Sequence, residues 1–519
     1  MTVKSAKQGL AYVRQNLALT VILVSAAIVW IWIFTVAAID FVSDGERPFR
    51  AVWNGFGQIE LFGFTFHFNF EGWADHDYFY HNWADQFLSG ELPYTAEFDT
   101  ITIDSQTWNV PYFFPPLYLY ICVIGKVLHP DVGIGAVLCV FGFLTAFPVY
   151  GIGKYLSGTK QVGELAAATY LFNPIVLYYT AFEWLNPAPF VFFAMLSFYL
   201  LTKDYRIAGA IAMTMSALCK QTAFFFALPL IAYLLRKPPR PNQEGPERID
   251  DGDDAGERDG DKLDLTGFAK IAIVVLMYAG LVSLPYLLDP ANYAFQILQR
   301  AGATRLKDFV SVPAGNAPIS VAVIFVVLGI IVQGTPYDWL APSFQWLAHV
   351  TDLLTYYSIC LLLGLALIFV LMLVEPKDDR NLRAYWRRLF YLSLLLMLWV
   401  HIFSPRGIYK YYTVVLVPFF SILSVSAMCK RETEEVKMSL PMLILPFILA
   451  ITIMIPDRNV YILYLVLMAL GYILHKAFSE TYAMVAQPVR RLLSRIRRSR
   501  RIAPNEDKDV IEETESTSS

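Results

Sequence analysis

The chain has 519 residues, 56% of them hydrophobic and only 16% charged, with a formal net charge of −3. Too little polar surface is left to cover the apolar groups in water, which excludes an ordinary soluble globular protein and makes the bilayer part of the solvent. The near-neutral charge says little about partners, and nothing in the sequence points to nucleic acid.

Residues 1–16 carry Lys4, Lys7 and Arg14 ahead of an apolar run over 17–40. That run is long enough to span and lacks a small-residue cleavage pattern, so it is expected to remain as a helix leading from a cytoplasmic N-terminus to the outer side. A long polar and aromatic loop, 41–112, follows on the outer face. Apolar segments then recur at about 113–127, 132–153, 163–182, 187–202, 206–236, 267–288, 318–333, 352–374, 388–404, 411–428, 438–455 and 458–477. The expectation is an all-α, polytopic integral membrane protein of about 12–14 transmembrane helices over 17–477. Within it, 237–266 is acidic and free of aromatics, and is expected to be a disordered cytoplasmic loop. Residues 478–519 carry the basic amphipathic "VRRLLSRIRRSRR" and end in a polar tail, both expected in the cytoplasm with the basic part on anionic membrane lipids. All five cysteines lie in or beside apolar runs, which argues against a disulfide framework.

Three segments set the topology. The runs 113–127 and 318–333 are short for a crossing, whereas 206–236 as one helix measures roughly 46 Å against about 30 Å of hydrocarbon. Splitting it at "CKQT" gives two short helices with Lys220 in the turn. Lys154, Lys160, Lys203, Arg206, Arg236, Lys237 and Arg240 then all face the cytoplasm, and Lys220 faces outward with the loops 41–112, 183–187, 289–317 and 403–411. The alternatives, both short segments crossing or one long helix burying Lys220 at ~3 kcal/mol, fit the charges less well.

The outer loop holds Asp75 and Asp77, one residue apart around His76, ahead of a helical pattern in which Phe79, Trp83 and Phe87 form one stripe and Tyr80, Ala84 and Leu88 the next. Such an aromatic face suits the headgroup level. Helix N-capping accounts for one aspartate, and Asp77 stands where a cap is expected; a second exceeds that need. "ADHDYFYHNWADQFLSGELPY" followed by "VPYFFPPLYLYI" resembles the first outer loop of GT-C membrane glycosyltransferases, in particular the GPI mannosyltransferase I type and prokaryotic polyprenol-phosphate-mannose mannosyltransferases. The motifs that carry the resemblance are Asp75-His-Asp77-Tyr78, Gly90-Glu-Leu-Pro93-Tyr94 and Phe114-Pro-Pro116-Leu117. "FNPIVLYYTAFEWLNPAPF", "YRIAGAIAMTMSALCKQTAFFFALPL" and "FSPRGIYKYYTVVLVPF" resemble later segments of that family in the same order, so the likeness runs over roughly 70–430. The chain departs from the GPI enzymes at Ala181-Phe-Glu183-Trp184-Leu-Asn186-Pro, where those carry an Arg-Gly-Asn-x-Glu-Ser type turn.

The resemblance implies a GT-C-like helical bundle with a catalytic first outer loop, and transfer of a sugar, mannose first, from a polyprenyl-phosphate carrier to a lipid- or glycan-linked acceptor, with inversion. Such a step needs a carboxylate to take the acceptor proton and positive charge beside the leaving phosphate. Asp75 and Asp77 are the catalytic candidates, one as base and the other orienting a sugar hydroxyl, His81 or a divalent cation (Mg or Mn), for which DHD alone is a weak signal. Lys220, Arg406 and Lys410 are the candidates for the donor phosphate, with Arg300, Arg305 and Lys307 as lesser ones. A snorkelling lysine is the plainer account of Lys220, and headgroup anchoring that of Arg406 and Lys410. His81, Tyr94, Glu183 and Asn186 are candidates for the sugar or acceptor site, against an interfacial aromatic belt. The competing function is a transporter or flippase of lipid-linked sugars, disfavoured because no internal repeat is visible and the acids cluster in one outer loop. A prokaryotic cell membrane is the expected location, with the endoplasmic reticulum as the alternative.

Overall fold

The computed structural model describes residues 16–43, 55–61, 63–70, 75–91, 94, 101–103, 106–108, 112–237, 263–294, 322–347, 358–375, 377, 382–403, 410–429, 435–455, 463–468 and 470. The first helix, α1 (Leu17–Val42), turns Ala26, Trp30, Ala37 and Asp40 inward. Ile28, Ile31, Trp32 and Ile39 stay exposed, a lipid-facing surface on a helix of 26 residues. Three helical stretches among the described residues are long and apolar enough to cross a membrane: α1, Gly133–Ser157 and Leu265–Val282. A fourth is assembled from Lys160–Leu171 and Pro174–Phe182, bent by 45° where Asn173-Pro174 interrupts the helix. Asn173 caps the second piece by accepting from Ile175 N at 3.0 Å. The protein is a helical membrane protein.

Inside the segment 41–112 the structure adds strands that the sequence was not expected to hold. β1 (Gly55–Leu61) pairs antiparallel with β2 (Phe64–Phe70), Gly55 opposite Phe70 and Leu61 opposite Phe64, and β3 (Ile101–Ile103) pairs with β4 (Gln106–Trp108). The connection between β1 and β2 needs a left-handed residue, and Gly63 supplies it at φ +80°. The loop then forms a π-helical turn, His76–Tyr80, that runs straight into α2 (His81–Leu88).

The middle of the aromatic face of this segment turns into the protein. Tyr80, Trp83 and Ala84 are buried, and Trp83 packs edge-on against Tyr112, Phe113 and Phe114, while Leu88 is left exposed. Phe79 and Phe87, at the two ends of the face, are half-buried. α3 (Pro116–Leu128) starts at a proline, where a missing N–H costs nothing, and its 13 residues fall short of a crossing, as expected from its length.

α4 (Gly133–Leu144), α5 (Ala146–Ser157), α6 (Lys160–Leu171) and α7 (Pro187–Thr202) build the middle of the bundle, α7 packing on α4 and α5. α8 (Arg206–Cys219) lies along α7 and stops at Lys220, whose backbone is extended at φ −157° and ψ 138°. A 3₁₀ turn, Gln221–Phe226, and α9 (Ala227–Leu234) follow, so the long apolar run breaks at "CKQT" as the sequence suggested. Beyond α10 (Leu265–Val282), α11 (Ala322–Val332), α12 (Ser358–Val374) and α13 (Leu382–Phe403), a 3₁₀ turn over Lys410–Val415 leads into α14 (Val417–Ser426). Every residue of α14 is buried, which makes it the central helix, packed on α5 and α6. The acidic segment 238–262 and the C-terminal tail lie outside the described residues.

Candidate functional site

The break after α8 fixes the position of Lys220. Its side chain is 2% exposed, and its ammonium donates to Asn186 Oδ1. Three ring faces surround the same nitrogen: Tyr412 at 4.1 Å, Phe114 at 5.0 Å and Tyr411 at 5.4 Å to the centroids. An ammonium in such a cage is attracted by the ring quadrupoles.

Asn186 precedes Pro187 at the start of α7, a place where a side-chain cap is common, yet it caps nothing. Its amide instead links two elements, accepting from Lys220 and donating from Nδ2 to the Tyr80 hydroxyl at 2.8 Å. Burial first, and the nearby Asp75 carboxylate second, push the Tyr80 phenol well above its ordinary range, so it stays a neutral hydroxyl.

Asp75 is reached from the other side. The Tyr411 hydroxyl donates to Asp75 Oδ2 at 3.3 Å. Tyr411 therefore touches the loop carboxylate with its hydroxyl and the ammonium with its ring. The result is one polar cluster, Asp75–Tyr411–Lys220–Asn186–Tyr80, built from the 41–112 segment, the start of α7, the break after α8 and the turn before α14.

The turn between α6 and α7 is shaped by Trp184, which holds a left-handed backbone at φ 53°. A bulky residue there is strained and needs its surroundings to hold it. Gly135 provides the room, since a Cβ on it would stand 2.3 Å from the Trp184 ring. Trp184 Nε1 donates to Ala181 O at 3.0 Å, and its ring meets Phe34, Phe41 and His76.

The remaining sequence candidates scatter around this cluster. Glu183 is fully buried and accepts from the Tyr178 hydroxyl at 3.1 Å. The Tyr94 hydroxyl donates to Phe114 O at 2.5 Å, so Tyr94 latches the loop onto the residue whose ring faces Lys220. His81 stacks on Phe41, and its Nδ1 lies 3.2 Å from Lys126 Nζ, which also pairs with Asp85 at 3.1 Å. The Lys410 ammonium donates to the carbonyl oxygen of Ile455. Arg406, Arg300, Arg305, Lys307 and the side chain of Asp77 lie outside the described residues.

Asp75, not Asp77, occupies the position before the π-helical turn, and no side-chain cap bond forms there. The expectation that Asp77 stands at the cap is thereby corrected, because Asp77 lies inside the π-helical turn His76–Tyr80 and Asp75 before it is already helical. Sequence reasoning did not assign Tyr80, Tyr411 or Tyr412 to the site. The signal for the last two was present in "SPRGIYKYY", where the charges drew attention away from the rings. Among the described residues no group of three or more His, Cys, Asp or Glu side chains stands ready for a metal ion.

The family described as "PIG-U: GPI transamidase subunit PIG-U" has a model that matches residues 108–297. That is well under half of the chain; it includes Asn186 and Lys220 and excludes Asp75 and Tyr411. The matching family is thus one of transamidase subunits rather than mannosyltransferases. No curated protein matches the chain. Among solved structures, the crystal structure of the Archaeoglobus fulgidus oligosaccharyltransferase in the apo form is similar at a TM-score of 0.38 and 13% identity, over 85% of this chain and 56% of that one.

Proposed function

We propose that the chain is an integral-membrane glycosyltransferase that moves a sugar, mannose first, from a polyprenyl-phosphate carrier to a lipid- or glycan-linked acceptor on the outer or lumenal face. One observation carries this: Tyr411 joins a carboxylate of the outer loop to a buried ammonium. The two charges that sugar-phosphate chemistry requires are thus within one side chain of each other.

In the step this supports, the acceptor oxygen attacks the anomeric carbon from the face opposite the phosphate. The bond from carbon to phosphate oxygen breaks with its electron pair on the phosphate, and configuration inverts. Asp75 takes the acceptor proton, which typically contributes about 10²–10⁴ in rate. Lys220 offsets the charge that grows on the leaving phosphate, where a fixed cation in a water-poor site is most effective. Phosphate leaves as an anion and needs no general acid, in contrast to the paired carboxylates of glycosidases. Asp77 is assigned to a sugar hydroxyl.

The PIG-U match favours a second reading, a non-catalytic subunit that binds a glycolipid and acts inside a larger assembly. One assay separates the two. Purified protein in liposomes is incubated with a panel of polyprenyl-phosphate sugars and lipid acceptors, and the product is analysed for anomeric configuration. Inverted transfer from at least one donor is expected. Binding without transfer from any of them would leave the subunit role.

A further inference from the structure

The turn that carries Tyr411 and Tyr412 is tied down by a histidine outside the polar cluster. His401 stands in the last turn of α13 and is 1% exposed. Its Nε2 lies 3.0 Å from Tyr412 O, across a separation of 11 residues, and its Nδ1 lies 2.6 Å from Met397 O. Tyr412 O belongs to the short 3₁₀ turn Lys410–Val415, and such turns have poor hydrogen-bond geometry of their own. Lys410 holds the start of that turn through Ile455 O, and Thr413 Oγ1 donates to Lys410 O at 2.6 Å. His401 holds the residue whose ring lies 4.1 Å from the Lys220 ammonium.

The two carbonyl contacts make this hold depend on protons. A neutral imidazole has one N–H, so one contact is then a hydrogen bond and the other sets a ring lone pair against an oxygen. With a proton on each nitrogen the ring donates to both carbonyls, and the bonds are charge-assisted. An anion arriving at Lys220 favours that state further. α13 packs on α5, α12, α14 and the 3₁₀ turn Gln221–Phe226. Of titratable groups, α12 carries Cys360 and α5 carries Tyr150, Lys154 and Tyr155; α14 and the turn carry none, and Lys220 precedes the turn. α13 itself adds Arg383, Tyr385, Arg387, Arg388 and Tyr391 in its first half, Arg388 being roughly 20 Å from His401 along the axis. The 410–415 turn brings Lys410, Tyr411 and Tyr412, and through Tyr411 the Asp75 carboxylate. His401 is the one histidine in this set.

We infer that His401 is a positioning residue for the Lys220 cage: by donating to Tyr412 O it sets the Tyr411 and Tyr412 rings around the ammonium, and its protonated form does so most firmly. The contribution is therefore present at low pH and lost as the pH rises, so anion affinity at Lys220 increases on acidification. That the anion is a lipid-phosphate donor rests on the proposed function; the link from His401 to the rings does not.

The test places 3-fluorotyrosine at Tyr412 of the full chain in lipid nanodiscs and follows its ¹⁹F resonance from about pH 7.5 to about pH 5, the range in which histidine titrates. Two variants, His401→Gln and His401→Asn, are read beside the parent; neither side chain titrates, and either one that folds serves. The ligand-free parent should show one transition that the variants lack. On the same preparations the affinity for polyprenyl-phosphate mannose is titrated, a phosphodiester whose charge is constant over this range. It should rise about tenfold on acidification in the parent, the scale of one charge-assisted hydrogen bond, and stay level in the variants. A transition that persists in the variants, or none in the parent, would overturn the inference. A transition confined to the parent with no donor binding at any pH upholds the link and removes the donor reading. Donor binding with one pH profile in parent and variants does the reverse.

Discussion

Arg206 and Lys220 bracket one helix, α8, and the chain treats the two cations in opposite ways. At the first end, Arg206 Nη2 donates to Leu234 O at 2.5 Å and Arg236 O at 2.7 Å, and Nη1 lies 3.3 Å from Asp264 Oδ2. The guanidinium caps the open carbonyls at the end of α9, and Asp264 in turn caps α10 by accepting from Gly267 N at 2.8 Å. Around it, Arg236 donates to Leu373 O, Lys377 to Lys237 O, and Arg388 pairs with Glu375. Charge at this end staples helices. At the other end, Lys220 is held by a neutral amide oxygen and ring faces. The lesson is that burial of a cation does not define its role, whereas the chemistry of its partners does. At Arg206 carboxylate and carbonyl oxygens take up the charge; around Lys220 an amide oxygen and aromatic rings are among the partners, and the proposed function assigns that ammonium to an incoming anion.

Each end can be broken separately. The largest effect is expected from Arg206→Ala, which strips a half-buried ion pair and a helix cap at once and should cost about 3–5 kcal/mol of stability. Thermal unfolding in detergent should show it, with donor affinity unchanged in the fraction that stays folded. An unaltered unfolding curve would mean that the staple is decorative and the contrast is false.

Next comes Lys220→Met, which keeps the length of the side chain and removes its charge. Donor affinity should fall about 10- to 100-fold, the ~1.4–2.7 kcal/mol of a charge-assisted hydrogen bond, while the unfolding temperature stays near that of the parent. Unchanged donor binding, measured by titration of polyprenyl-phosphate sugar, would move Lys220 to the same category as Arg206.

The smallest effect is expected from Tyr411→Phe. It deletes the hydroxyl on Asp75 and leaves the ring beside Lys220, so turnover should drop about three- to tenfold with donor affinity intact. Loss of donor affinity without loss of turnover would show that Tyr411 serves the ammonium and not the acid.

Much of this contrast could be read before the fold was known, and the part that could not has definite physical reasons. The break at Lys220 was legible because a run over 206–236 is too long for the bilayer and carries a charge at its middle. The apolar segments were legible for the same reason, since lipid imposes length and composition on every crossing. The β1–β2 hairpin was missed although "GQIELFGFTFHFNF" alternates about a glycine, because an aromatic-rich stretch in an outer loop is easily taken for interfacial surface. Asn186 could be suspected, but its links to Lys220 and Tyr80 join residues 34 and 106 positions apart, which no local pattern encodes. At "KYY" the charge on Lys410 drew the attention. The 3₁₀ turn there sends Lys410 to Ile455 O and brings Tyr411 to Asp75, a choice made by tertiary packing alone.

The central claim is that Asp75 works as a base within reach of a cation that holds the donor. Asp75→Asn tests it most directly, because the amide keeps the size of the side chain and can still accept from Tyr411. Initial rates of sugar transfer and equilibrium donor binding are measured on the same preparation. Turnover should fall by about 10²–10⁴ while donor binding is retained. Near-normal transfer by the Asp75→Asn variant would contradict the account and leave the Asp75 carboxylate as a structural partner of Tyr411.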